Sequence, residues 1–244
     1  MPNLKLICQT GPVGKHIDLD VCKKLNITIL EGGGDPTSAA ELTWLLIMAA
    51  NRKLYESIES MKNGLWQTVT GRQIKDKRIG ILGFGKIGKL VAKYASSFDT
   101  EVVVCGSEGA KQESLLNGYK FLSSRDEFFR TCDIISVHLR LSNNTRESIT
   151  FNDLSKMKEN AIFVNTSRSQ LLEKNSIQKL LKINKSIAFV LDVFDDEPVY
   201  HSNLLFSKNI LCTPHIGYVT QENLENYFNC AIENLLQYCK PLHS

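Results

Sequence analysis

Short runs of apolar, β-rich residues recur at Leu4–Cys8, Ile27–Leu30, Arg78–Leu82, Glu101–Cys105, Asp133–His138, Ala161–Asn165, Ile187–Val193 and Asn209–Thr213. They lack the in-out alternation of half-exposed strands, so each predicts a strand covered on both faces. Between most of them lie segments long enough for a helix: Gly85–Phe98, Ser123–Thr131, Phe151–Lys158 and Glu173–Ile183. Strands alternating with helices predict an α/β fold with a doubly wound parallel sheet. The stretch before Arg78 behaves differently. Asp35-Pro36 supplies an N-cap with Pro at the first helical position, and Ser38 with Glu41 supplies a capping box slightly later, so a helix starts near residues 36 to 39. It runs on through Trp44 to Ala50, apolar nearly all round, which predicts either burial on several sides or a helix shared between two domains or two subunits. A last helical pattern runs from Glu222 to Tyr238 and stops at Lys240-Pro241.

Composition narrows the class. Lys and Arg total 29 against 26 Asp and Glu, a net charge of +3, which argues against a nucleic-acid partner. The longest apolar stretch, Leu42–Ala50, is too short to span a bilayer, and Met1–Cys8 carries no signal-peptide pattern, so no membrane partner is expected. Seven cysteines, an odd number without a C-x-x-C pair, predict buried free thiols in a reducing cytoplasm and no metal site. A length of 244 residues allows one large domain or one domain with part of another.

The strongest motif follows the strand Arg78–Leu82. Gly83-Phe84-Gly85-Lys86-Ile87-Gly88 reads G-x-G-x-x-G, with a helical run directly after it and the next strand, Glu101–Cys105, at the expected distance. In a dinucleotide site Gly83 makes the tight turn, Gly85 lets a pyrophosphate approach the backbone, Gly88 allows close helix packing, and the amides around Lys86 and Ile87 meet the negative charge. An acid about 20 residues on normally holds the adenosine ribose. Here the strand ends Cys105-Gly106-Ser107-Glu108, with Glu108 slightly late. Gly106 and Ser107 leave room for a 2′-phosphate that Glu108 would repel, so NAD is expected and NADP stays open.

Ligands of a doubly wound sheet lie at the carboxyl ends of its strands. Three ionisable groups emerge there, Arg168 after Ala161–Asn165, Glu197 after Ile187–Val193 and His215 after Asn209–Thr213. The set suffices for moving a hydride between nicotinamide and a carbon bearing oxygen. His takes or returns the hydroxyl proton, a carboxylate beside it fixes its tautomer, and Arg grips a carboxylate or polarises a carbonyl.

The glycine loop, Val164-Asn165-Thr166-Ser167-Arg168, Asp192-Val193-Phe194 through Glu197-Pro198, and Thr213-Pro214-His215-Ile216-Gly217 together resemble the D-isomer-specific 2-hydroxyacid dehydrogenases. The similarity extends to Gly64-Leu65-Trp66 and to the segment Thr10–Asp18. It implies a Rossmann domain with a partial flavodoxin-like substrate domain, and hydride transfer between a nicotinamide cofactor and a D-2-hydroxy acid or 2-keto acid. It also implies His215 as general acid/base, Glu197 as its partner and Arg168 as the residue that orients substrate. Asp192 would hold the nicotinamide carboxamide, and Gly11–Gly14 would cradle the substrate carboxylate. His138, Thr166 and Gly217 join the cofactor-facing set. The family usually carries an acid where Gly106 stands and a Pro where Arg140 stands; Arg140 is expected over the adenine end. Tyr218, where a small residue is commoner, would narrow the substrate pocket.

On this resemblance residues 1–34 are a remnant of the substrate domain, 35–218 the dinucleotide-binding domain and 219–244 a helix returning toward the substrate domain. Half a substrate domain would leave a sheet edge and apolar surface uncovered, as in a fragment, a split gene product or a chain with a misplaced start. Family habit implies a homodimer. The same fold also serves NAD-sensing corepressors, so a binding protein without turnover is the second reading, and an inactive remnant the third.

Overall fold

The computed structural model describes residues 3–11, 13–14, 17–184, 186–202 and 204–240. In chain order the elements are β1 (Leu6–Gln9), α1 (Leu19–Lys24), β2 (Thr28–Glu31), α2 (Pro36–Asn51), α3 (Leu54–Lys62), β3 (Arg78–Leu82), α4 (Lys86–Ser96), β4 (Glu101–Cys105) and α5 (Glu108–Leu116). Then come β5 (Lys120–Phe121), α6 (Arg125–Thr131), β6 (Ile134–Val137), α7 (Phe151–Ser155), β7 (Ile162–Asn165), α8 (Ser176–Ile183), β8 (Ala188–Leu191), β9 (Ile210–Cys212) and α9 (Gln221–Cys239). The chain divides into two compact units, Met1–Ser38 with Tyr218–Ser244, and Ala39–Gly217.

In the larger unit seven strands form a sheet in the order β5-β4-β3-β6-β7-β8-β9, every pair parallel. The chain starts in the middle at β3, winds outward through β4 and β5, then crosses back to β6 and winds the other way. This is the doubly wound Rossmann order, and its switch point lies between β3 and β6. Side chains alternate between two cores: Ile135, Val137, Phe163, Phe189 and Leu191 enter one, and Ile134, Ile162, Val164 and Val190 the other. Both faces are therefore apolar, which is why the strands show no polar alternation in sequence.

The smaller unit pairs β1 with β2 in parallel, Leu6 opposite Thr28. An open apolar groove of about 350 Å³ runs between β1 and α9, lined by Leu6, Cys8, Phe228, Ala231, Ile232 and Leu235. Asp35 caps α2, its carboxylate accepting the Thr37 amide at 2.8 Å, so of the two predicted starts the Asp-Pro cap is the one used.

The structure corrects several sequence expectations. Helices α1, α3 and α5 were not expected; α1 and α5 are announced by side-chain caps, Asp18 accepting from Asp20 and Val21 and Ser107 from Ala110. The predicted helix from Glu173 begins at Ser176, because Asn175 takes a left-handed conformation (φ 60°) and Glu173 instead accepts the Phe151 amide. The cysteines are all free, but only Cys22, Cys105 and Cys132 are buried; Cys239 is exposed. Burial pushes the Cys132 thiol up to about 12, and Cys212 up to about 11. Among the described residues no helix is long and apolar enough to cross a membrane.

Candidate active site

The glycine turn sits at the switch point. Gly83 has φ +94°, and a Cβ there would stand 2.8 Å from the His138 carbonyl oxygen. Only glycine fits both the conformation and the contact. A Cβ on Gly88 would meet the Gly83 oxygen at 2.4 Å, so α4 rests directly on the turn. Gly85 is different. It is the N-cap of α4, has no side-chain cap, and a Cβ there would meet nothing within 4 Å. Gly85 and Lys86 are exposed, so the first amides of α4 open on free space at the positive end of an 11-residue helix. The turn thus has the shape a pyrophosphate needs.

His138 and Thr166 are both half-buried. His138 Nε2 is 2.8 Å from the Ser136 hydroxyl, Nδ1 is buried with no partner among the described residues, and desolvation pushes the pKa down to about 3. His138 therefore stays neutral and bears on the glycine turn through its backbone carbonyl. Thr43 donates to the Ala39 carbonyl, so the Thr166 hydroxyl, 2.7 Å away, donates to Thr43. Arg140 and Ser107 are exposed on either side of the turn.

Three adjacent strands, β7, β8 and β9, deliver the ionisable groups from loops at their carboxyl ends. His215 Nδ1 lies 2.6 Å from Glu197 Oε2, and the other carboxylate oxygen accepts the Phe194 amide at 2.8 Å. Burial raises the Glu197 pKa, but the bonds from His215 and Phe194 outweigh it, the Arg168 charge adds to them, and the carboxyl ends below its ordinary range. The three predicted residues are thus brought together electrostatically: Glu197 touches His215 and feels Arg168.

Two of these loops, those after β7 and β9, are each held by a buried polar side chain. Asn165, fully buried at the end of β7, donates to the Arg168 carbonyl at 2.9 Å and accepts the Ser167 amide at 3.0 Å. Ser167 in turn donates to the Val137 carbonyl at 2.7 Å. This clamp was not predicted, although an Asn at a strand end followed by Thr-Ser is an Asx-turn signal. Asp192, also fully buried, accepts from Thr213 Oγ1 at 2.6 Å and from the Ile216 and Gly217 amides, both at 2.9 Å. It thereby fixes the turn on which His215 adopts φ +52°. The buried Asp192 carboxylate thus holds the loop that carries His215. Of the Gly11–Gly14 segment, in the smaller unit, Pro12 lies outside the described residues; Val13 donates its amide to Glu31 at 2.7 Å.

A parallel sheet with a phosphate turn at its switch point and an Arg, a Glu–His pair and an anchoring Asp on neighbouring strand ends defines a dinucleotide-dependent oxidoreductase. Residues 44–217 match the model of the D-isomer specific 2-hydroxyacid dehydrogenase, NAD binding domain. Glyoxylate reductase of Thermococcus litoralis is 30% identical over 249 residues, covering 98% of this chain and 75% of its own. Hydroxypyruvate reductase of Thermotoga maritima is 33% identical over 226 residues, covering 90% and 72%. Among solved structures, phosphoglycerate oxidoreductase from Vibrio cholerae O395 superposes with a TM-score of 0.92 at 41% identity, covering 97% of this chain and 77% of its own. The chain belongs to the D-isomer specific 2-hydroxyacid dehydrogenases, which transfer hydride between NAD and a D-2-hydroxy acid or 2-keto acid.

Proposed function

We propose that the chain interconverts a short 2-keto acid and its D-2-hydroxy acid, with His215 as the acid/base, Glu197 as its orienting partner and Arg168 as the substrate grip. The pair of 2.6 Å between His215 Nδ1 and Glu197 Oε2 carries this reading. With Nδ1 engaged by the carboxylate, proton exchange with substrate falls to Nε2. The cofactor, when bound, supplies or accepts the hydride at the substrate C2. His215 gives a proton to the keto oxygen during reduction and takes it back from the hydroxyl during oxidation. Arg168, exposed beside the pair, offers its guanidinium to the substrate carboxylate and carbonyl. The Gly83–Gly88 turn and the first turn of α4 would hold the pyrophosphate of the cofactor, and Gly217 and Thr166 would face its nicotinamide end.

Steady-state assays with glyoxylate, hydroxypyruvate and pyruvate test the proposal, because reductases of the first two are among the chain's relatives. Turnover of any one, abolished in His215→Asn, is the expected result. Cofactor binding with no turnover on any of them would favour the sensing reading instead.

The assembly we infer is a homodimer built on α3. None of its nine residues is buried, and Leu54, Tyr55, Ile58 and Met61 are exposed, as are Leu65 and Trp66 just beyond. Light scattering of the purified chain should give twice 27.5 kDa, and Met61→Glu with Trp66→Glu should give the monomer. All seven cysteines are unpaired, which supports a reducing compartment, the cytoplasm.

A further inference from the structure

The rim at the ribose end of the glycine turn can be read atom by atom. Gly83 is flanked on one side by the His138 backbone and on the other by Gly106, where a Cβ would stand 3.6 Å from the Gly83 Cα and nitrogen. Ser107, next after Gly106, and Arg140, two residues after His138, therefore frame the turn from opposite sides. A ribose with a free 2′-hydroxyl is ordinarily held by a carboxylate at the end of the second strand. Here that strand, β4, ends at Cys105, and Gly106 brings no side chain. The first acid, Glu108, opens α5 and pairs with Lys111 one turn on, 3.3 Å away. Glu113 is bound to Lys89, and Glu101 sits at the far end of β4 bound to Arg78. Among the described residues, each of these three carboxylates already has a basic partner.

The same rim is rich in donors. Ser107 caps α5, accepting the Ala110 amide at 3.3 Å, and keeps its hydroxyl proton to give. Arg140 is exposed and its guanidinium has no partner among the described residues. Its backbone is pinned, because the Arg140 carbonyl accepts the Thr145 hydroxyl at 2.6 Å, and Thr145 also receives the Ser142 amide at 2.8 Å. An exposed guanidinium on one side of the turn and a hydroxyl on the other suit a dianionic phosphate better than a neutral diol.

We propose that this rim is a 2′-phosphate site, in which Arg140 and Ser107 recognise the phosphate, Gly106 sets no acid against it and Lys111 offsets the Glu108 charge, so that NADPH binds at least as tightly as NADH. The proposal rests on the dinucleotide reading above and deepens it at the ribose end.

Direct binding, by calorimetry and by nicotinamide fluorescence on the full chain, tests it without relying on turnover. NADPH is expected to bind no more weakly than NADH, and adenosine 2′,5′-bisphosphate about tenfold more tightly than 5′-AMP, the worth of one charged hydrogen bond to phosphate. Arg140→Ala should weaken NADPH and the bisphosphate about tenfold while leaving NADH within about twofold. Gly106→Asp, which restores the acid, should reverse the preference. Thermal melts of both variants without ligand control for folding. NADH binding tighter than NADPH, or equal losses for both cofactors in Arg140→Ala, overturns the proposal and leaves the dinucleotide reading intact. Binding of neither cofactor overturns both.

Discussion

Glu197 and His215 stand 18 residues apart in sequence and 2.6 Å apart in space, and the contact exists because β8 and β9 are neighbours whose following loops leave the same edge of the sheet. The carboxylate is tied at its other oxygen to the Phe194 amide, so it holds the imidazole from a fixed base. His215→Asn should lower kcat by about 10² to 10⁴, the usual contribution of a positioned acid/base, with cofactor affinity retained. Glu197→Gln, which keeps the shape and removes the charge, should lower kcat more than it raises KM, since it acts through His215. A change in KM alone would contradict the positioning role.

Arg168→Lys keeps the charge but loses the planar fork of donors. We expect kcat/KM for the 2-keto acid to fall about ten- to hundredfold, as one charge-assisted bond is worth roughly 1.5 to 3 kcal/mol. Cofactor affinity measured alone should not change. Equal kinetics for the two side chains would mean that Arg168 does not touch substrate.

Two glycines of one turn should fail in opposite ways. Gly83→Ala places a Cβ at φ +94° and 2.8 Å from the His138 oxygen, so the apo protein should lose about 1 to 3 kcal/mol of stability. Gly85→Ala enters open space at φ −82°, so the apo melting temperature should hold while NADH affinity falls. Denaturant curves and cofactor titrations separate the two. Loss of stability in Gly85→Ala would show that the space above it is not available to a ligand.

Asp153 gives the stability test with pH. Its carboxylate, 9% exposed, pairs with Arg125 at 3.0 Å and receives the Thr150 amide and hydroxyl. Burial raises its pKa, but the bonds from Arg125 and Thr150 win and hold it below the usual carboxylate value. A depressed folded-state pKa means stability that is present above the unfolded value of about 3.9 and is lost as pH falls through the folded one. Asp153→Asn should therefore cost about 3 kcal/mol near neutrality, with the gap to the native chain closing below about pH 4. A gap that persists in acid would locate the loss in packing.

The sequence by itself determined the alternation of strands and helices, the glycine turn and the three ionisable residues. These features are local: a doubly covered strand is a short apolar run, and a phosphate turn is a fixed spacing of glycines between a strand and a helix. Strands β3 and β4 match the predicted ranges Arg78–Leu82 and Glu101–Cys105 residue for residue, since buried parallel strands carry the signal in their own composition. What only the tertiary structure decided is which polar groups are already taken. Asp192 accepts from Thr213, Ile216 and Gly217, and His138 Nε2 lies against the Ser136 hydroxyl, pairings that no local pattern announces. At Asn165 an Asx turn was legible, but not that the amide would clamp the Arg168 carbonyl. Hydrogen-bond partners come from segments tens of residues away, so their assignment depends on how the strands are ordered in the sheet, and composition and spacing carry no record of that order.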